Sequence, residues 1–108
     1  MAGITLRHKR GDTFQYDCVV RESKHGPPVN ITGWTIRSQL RDLHDHLLCE
    51  FTITFLNAAE GRYRLSAGST TDWAPGAAAM DIEYRDAGGI VRSTETLAVT
   101  VLKDETHD

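Results

Sequence analysis

The sequence predicts an all-β fold: an antiparallel two-sheet sandwich of immunoglobulin-like type, with about seven strands and one short helical turn near 69–74. Three observations carry this expectation. Apolar and polar residues alternate with a period of two through most of the chain. The alternating runs are cut by Gly11-Asp12-Thr13, Asn30-Ile31-Thr32-Gly33-Trp34, Trp73-Ala74-Pro75-Gly76 and Asp86-Ala87-Gly88-Gly89, all sequences that favour turns. A chain of 108 residues, finally, suits a single domain over 1–108, long enough for a two-layer core and too short for two such cores.

The elements follow in order. A short first strand over 4–8 precedes the turn at Gly11-Asp12, and Phe14, Tyr16, Cys18 and Val20 then form the inward face of a second. Loop 23–28 ends it, because the two prolines cannot donate to a ladder. Ile31 and Trp34 anchor the next corner, and Trp34, Ile36, Ser38 and Leu40 continue inward against Arg37, Gln39 and Arg41 on the other face. After the polar connection 42–46, a strand over 47–55 points Cys49, Phe51, Ile53 and Phe55 to one side. A turn over 57–61 leads to Tyr63, Leu65 and Ala67.

At 69–74 Ser69 or Thr70 can cap a helical turn that Pro75-Gly76 must end. Met80 and Ile82, with Ala78 and Tyr84, face inward on the strand that follows. The last strand, 93–101, carries Leu97, Val99 and Val101 inward and has few charges, so it is expected at an open edge. The ends, 1–3 and 104–108, are expected to be flexible.

Charge and composition exclude several functions. Twelve Lys and Arg against fifteen Asp and Glu leave a net charge of −3, which gives no drive toward nucleic acid or an anionic membrane. The local basic run Arg7, His8, Lys9, Arg10 reads as a solvated strand end. No stretch approaches the roughly 20 apolar residues that span a bilayer, and the start lacks the apolar segment of a signal peptide, so synthesis in a cytoplasm is expected. Two cysteines, Cys18 and Cys49, are expected as buried free thiols.

Chemical motifs are few. No nucleophile elbow, phosphate loop or dinucleotide fingerprint is present, and no catalytic residue or cofactor is assigned. His44 and His46 would project from the same side of an extended segment, with Asp42 as a third ligand; solvated residues without metal are the expected state. Trp73, in a loop, is expected to plug one end of the sandwich. If the chain were instead a ligand- or carbohydrate-binding module, its candidate residues would be Trp73, His25 in loop 23–28, and Thr94 and Thr96 at the start of the last strand.

The order of the motifs adds a resemblance. Gly11-Asp12-Thr13-Phe14, then Val29-Asn30-Ile31-Thr32-Gly33-Trp34 with Arg37-Ser38-Gln39-Leu40-Arg41, then Gly61-Arg62-Tyr63-Arg64-Leu65, then Thr71-Asp72-Trp73-Ala74-Pro75-Gly76 with Met80-Asp81-Ile82-Glu83-Tyr84, and finally Gly89-Ile90-Val91 make up a series. Over about residues 10–103 it resembles bacteriophage structural β-sandwich modules: the N-terminal domain of baseplate upper proteins and related small tail and head proteins. The family often has a smaller aliphatic residue where Trp73 stands. The resemblance implies a non-enzymatic virion component, from a phage or prophage, that docks onto other virion proteins and self-associates. It implies no cofactor, nucleic acid or membrane.

Overall fold

The alternation read from the sequence becomes paired strands wherever one face of the run is apolar. The computed structural model describes residues 5–23, 25–93 and 96–103. Among them are β1 (Thr5–Lys9), β2 (Gln15–Val19), β3 (Thr35–Asp42), β4 (Leu47–Glu50), β5 (Thr52–Asn57), β6 (Arg62–Ser66), β7 (Gly76–Arg85), β8 (Val91–Ser93) and β9 (Leu97–Leu102). They form two sheets. The larger has the order β1-β9-β7-β3-β4, with β8 also on β7, and the smaller has the order β2-β6-β5.

β7 is the spine of the large sheet. Ala78, Met80 and Ile82 are buried, while Ala77, Asp81 and Glu83 alternate onto the outer face. β3 pairs it antiparallel along its whole length and buries Ile36, Ser38 and Leu40. Phe14, Phe51, Trp73, Tyr63 and Leu65 close the core from the small sheet and the connections, and Ile31 enters from a turn. In that turn the Trp34 N–H donates to the Ile31 carbonyl at 3.0 Å, and Gly33 stands at φ +82°. This is the third position of a type II turn, which requires positive φ.

The structure departs from the sequence expectation in five places. Nine strands are found among the described residues where about seven were expected. The run 47–55 is two strands, because Phe51 carries the chain from the large sheet to the small one while its N–H still donates to Ser38 O at 2.9 Å. The three-residue β8 is the other addition. Second, the pairing is not wholly antiparallel: β1 lies parallel to β9, with Leu6 opposite Val99 and His8 opposite Val101. For the same reason β9 is not an open edge, since β1 covers one side of it and β7 the other.

Third, no helix forms at 69–74. Trp73 N–H closes a single turn on Thr70 O at 3.1 Å, and Ala74, preceding a proline, is steered away from helical backbone. The helical turn described is a 3-10 segment at Ala58–Glu60. Fourth, Tyr16 is not a core residue. It lies on an edge strand, is 38% exposed, and leans edge-on against Phe14 with ring centroids 4.9 Å apart. Phe55, on the opposite edge of the same sheet, is likewise exposed.

Fifth, His8 is buried against the rings of Phe14 and Trp73 and does not belong to a solvated basic end. Of the remaining expected anchors, Trp34, Ile53 and Leu97 are half-buried and packed on the rim of the core, and the others are buried. The ends 1–3 and 104–108, and Thr94, lie outside the described residues.

Candidate functional site

His8, Phe14, Phe51 and Trp73 form an aromatic cluster at one end of the sandwich. Trp73, 3% exposed, sits 5.1 Å from His8 and 5.4 Å from Phe14, centroid to centroid. Its faces are covered, so it offers no stacking platform to a sugar. Beside it, the buried Thr70 hydroxyl donates to the Asp12 carbonyl at 2.8 Å and accepts the Gly11 N–H at 2.9 Å. Its one proton is therefore committed, and His8 Nε2, 3.2 Å away, must be the donor in that contact. A His–Thr pair of this kind superficially suggests a base and a nucleophile. It cannot act as one, because the hydroxyl is buried and its proton points away from the imidazole.

Burial lowers the pKa of His8, and the Asp12 carboxylate only partly opposes this. A buried neutral imidazole makes stability depend on pH in one direction. The unfolded chain binds the proton more readily, so this contribution is complete above the ordinary histidine value and is lost as pH falls through it. Melting temperature is expected to drop more steeply between about pH 7 and about pH 5 in the natural chain than in His8→Gln, which keeps a donor to Thr70 and cannot titrate. Calorimetric melts of the two proteins across that range check this.

The connection 42–46 is a stapled hairpin. Asp42 Oδ1 accepts the N–H groups of His44 and His46 at 2.8 and 2.9 Å, and Oδ2 lies 3.3 Å from His46 Nδ1. The same device recurs at the β7–β8 hairpin, where Asp86 Oδ1 accepts from Gly88 and Ile90 at 3.0 and 2.9 Å. The backbone donors, His46 first and then His44, hold the Asp42 carboxyl below the usual carboxylate range. Its lone pairs thus close a turn. The His44 and His46 rings are 6.2 Å apart, and among the described residues no group of three or more His, Cys, Asp or Glu side chains could hold a metal ion.

The other candidates are dispersed. His25 is exposed in loop 23–28, and the Thr96 hydroxyl donates to Asp81 Oδ1 on the outer face of the large sheet. Cys18 and Cys49 are half-buried free thiols, and burial pushes both above the ordinary cysteine value, the opposite of what a nucleophile needs. Tyr63 and Tyr84 share a 2.7 Å hydrogen bond, and burial raises both phenols.

Concavities among the described residues offer further candidates. One of about 290 Å³ lies on the outer face of β3 and β7, lined by Arg37, Arg41, Asp81 and Glu83 among others. Its charges are mixed and largely answered: Arg37 pairs with Glu50 at 3.5 Å, and Arg41 bonds Gln39 at 3.0 Å. Another, about 520 Å³ and shallow, runs along one flank between the sheets, lined by Trp34, Thr35, Ile36, Ile53, Thr54 and Phe55. It exists because β4 pairs only Gln39, Leu40 and Arg41 before Phe51 leaves the sheet. The stretch 35–37 of β3 therefore has no neighbouring strand on that side among the described residues. Sequence reasoning missed this flank, whose one local signal was the uncharged run 51–57.

The molecule is thus an all-β sandwich with an open, uncharged flank, and among its described residues no helix is long and apolar enough to cross a membrane. No family model matches the chain, and no curated protein matches it in sequence. Its fold is similar to that of CopC from Methylosinus trichosporium OB3b, with a TM-score of 0.59 and 13% identity over 100% of this chain and 91% of that one. It is also similar to the N-terminal domain of phage TP901-1 ORF48, with a TM-score of 0.56 and 22% identity over 94% of this chain and 86% of that one. The chain therefore shares its fold with a phage-protein domain, and phage modules are what its motif series resembles.

Proposed function

We propose that this protein is a non-enzymatic structural or assembly component of a phage or prophage particle, made in the host bacterial cytoplasm and acting by docking onto other virion proteins. The observation that carries the reading is the fold shared with the N-terminal domain of phage TP901-1 ORF48 over nearly the whole chain. The ordered motif series supports it. So does the chemistry: the side chains best placed to suggest catalysis or metal binding are spent on structure, Thr70 on Asp12 and Asp42 on its own hairpin.

A ligand- or carbohydrate-binding role loses its main candidate with Trp73 inside the core. What the sandwich leaves free is surface: strand edges and an uncharged flank with exposed aromatic and aliphatic side chains, which suit protein partners. Light scattering after size exclusion, on the protein alone and mixed with the products of its neighbouring genes, is expected to give a complex of defined stoichiometry. A chain that ignores every one of those products would overturn the reading.

A further inference from the structure

We infer that the open edge of β5 is a self-association surface, onto which a second copy of the chain adds its own β5 antiparallel across a two-fold axis. The inference rests on the docking reading and names one surface for it.

On its side away from β6, β5 has no strand partner among the described residues, and it borders the flank groove shared with Trp34, Thr35 and Ile36. Ala67 N–H donates to Phe14 O at 3.0 Å and Val20 N–H to Gly61 O at 2.9 Å, so these odd-numbered residues turn their polar groups toward β2. Arg64 and Ser66 accordingly turn theirs toward β5, where they stand opposite Thr54 and Thr52. Ile53 and Phe55 are left with N–H and C=O directed away from β6, on the side where no strand pairs β5 among the described residues.

The composition of the edge separates it from the others. Exposed edges in natural sheets are blunted by charge, by brevity or by bulges. β1 carries Arg7 and Lys9, and β2 carries Asp17. β4 is four residues long with Glu50, and β8 is three residues with Arg92. β5 is six residues, Thr-Ile-Thr-Phe-Leu-Asn, with no charge, proline or glycine. Its single blunting feature is the irregularity between Phe55 and Asn57, beyond the regular stretch 52–55.

A second copy is the occupant this edge fits. Laid antiparallel on itself, an uncharged strand never sets like charges opposite one another, as a charged edge would. The contact would also cover Phe55, 39% exposed, and Leu56, 43% exposed. Upstream, on β4, the one charge is Glu50, already held by Arg37. An isologous contact closes at two copies, giving a six-stranded sheet with no further open β5.

Thr54 is exposed, and in such a dimer it lies close to its own copy. Sedimentation equilibrium of the full chain, from about 1 μM to about 1 mM, tests the proposal with Thr54→Lys and Thr54→Glu, each checked for native circular dichroism. The natural chain is expected to rise from 12.0 kDa toward twice that mass. Each variant alone stays monomeric, and an equimolar mixture regains the dimer. A natural chain that remains monomeric, variants that associate as it does, a mixture that stays monomeric, or a mass climbing past the dimer each overturn the assignment. Binding of neighbouring gene products, measured separately on the natural chain, reports on the docking reading: a natural chain that binds them while remaining monomeric sinks the β5 assignment alone.

Discussion

Trp73→Ala is expected to lower stability by about 3–5 kcal/mol, a fall in melting temperature of roughly 15–30 °C for a domain of this size. The ring is 3% exposed and meets His8, Phe14 and Phe51, with centroids at 5.1, 5.4 and 6.5 Å. Removing it takes away the burial and leaves a void among side chains held by two sheets and the 70–73 turn, which cannot all move inward together. Calorimetric melting checks this. A loss below about 1 kcal/mol would place the ring outside the core and return it to the candidates for ligand stacking.

Gly61→Ala is expected to cost about 2–5 kcal/mol, from two sources acting together. Gly61 follows the 3-10 turn at φ +70°, in the left-handed region, and an added Cβ would lie 2.7 Å from Val29 O and 2.8 Å from Val20 O. Both are backbone atoms, and the Val20 carbonyl also accepts the Val29 N–H at 2.9 Å, so neither can swing aside. Gly89→Ala supplies the control, because Gly89 has φ +86° but nothing within 4 Å of its Cβ position. It should cost only the backbone term, about 1–2 kcal/mol. Chemical denaturation of the two variants separates strain from collision, and equal losses would refute the clash.

Much of the fold is legible because alternation reports burial directly. β3 and β7 keep one face apolar over many residues, so their inward faces and core side chains could be read from the sequence alone. Edge strands are less legible. Tyr16 obeys the same alternation as Phe14, yet nothing in its own strand records that it lies at the edge of its sheet. His8 failed for a different reason: its charged neighbours suggested solvent, while the period that sets it beside Leu6 pointed inward. Asp42 had the chemistry of a metal ligand, but its lone pairs are taken by donors only two and four residues away, a competition decided by local turn geometry.

By itself the sequence determined an all-β chain, its turns and most of its core, because side-chain polarity at a period of two and glycine or proline at the corners are local properties. Tertiary structure alone decided that the 47–55 run breaks at Phe51 between the sheets, that β1 returns parallel to β9 and closes that edge, and that β5 remains open. These are outcomes of which strand finds which neighbour, a matter of long-range packing and free backbone groups that no residue carries in its own identity.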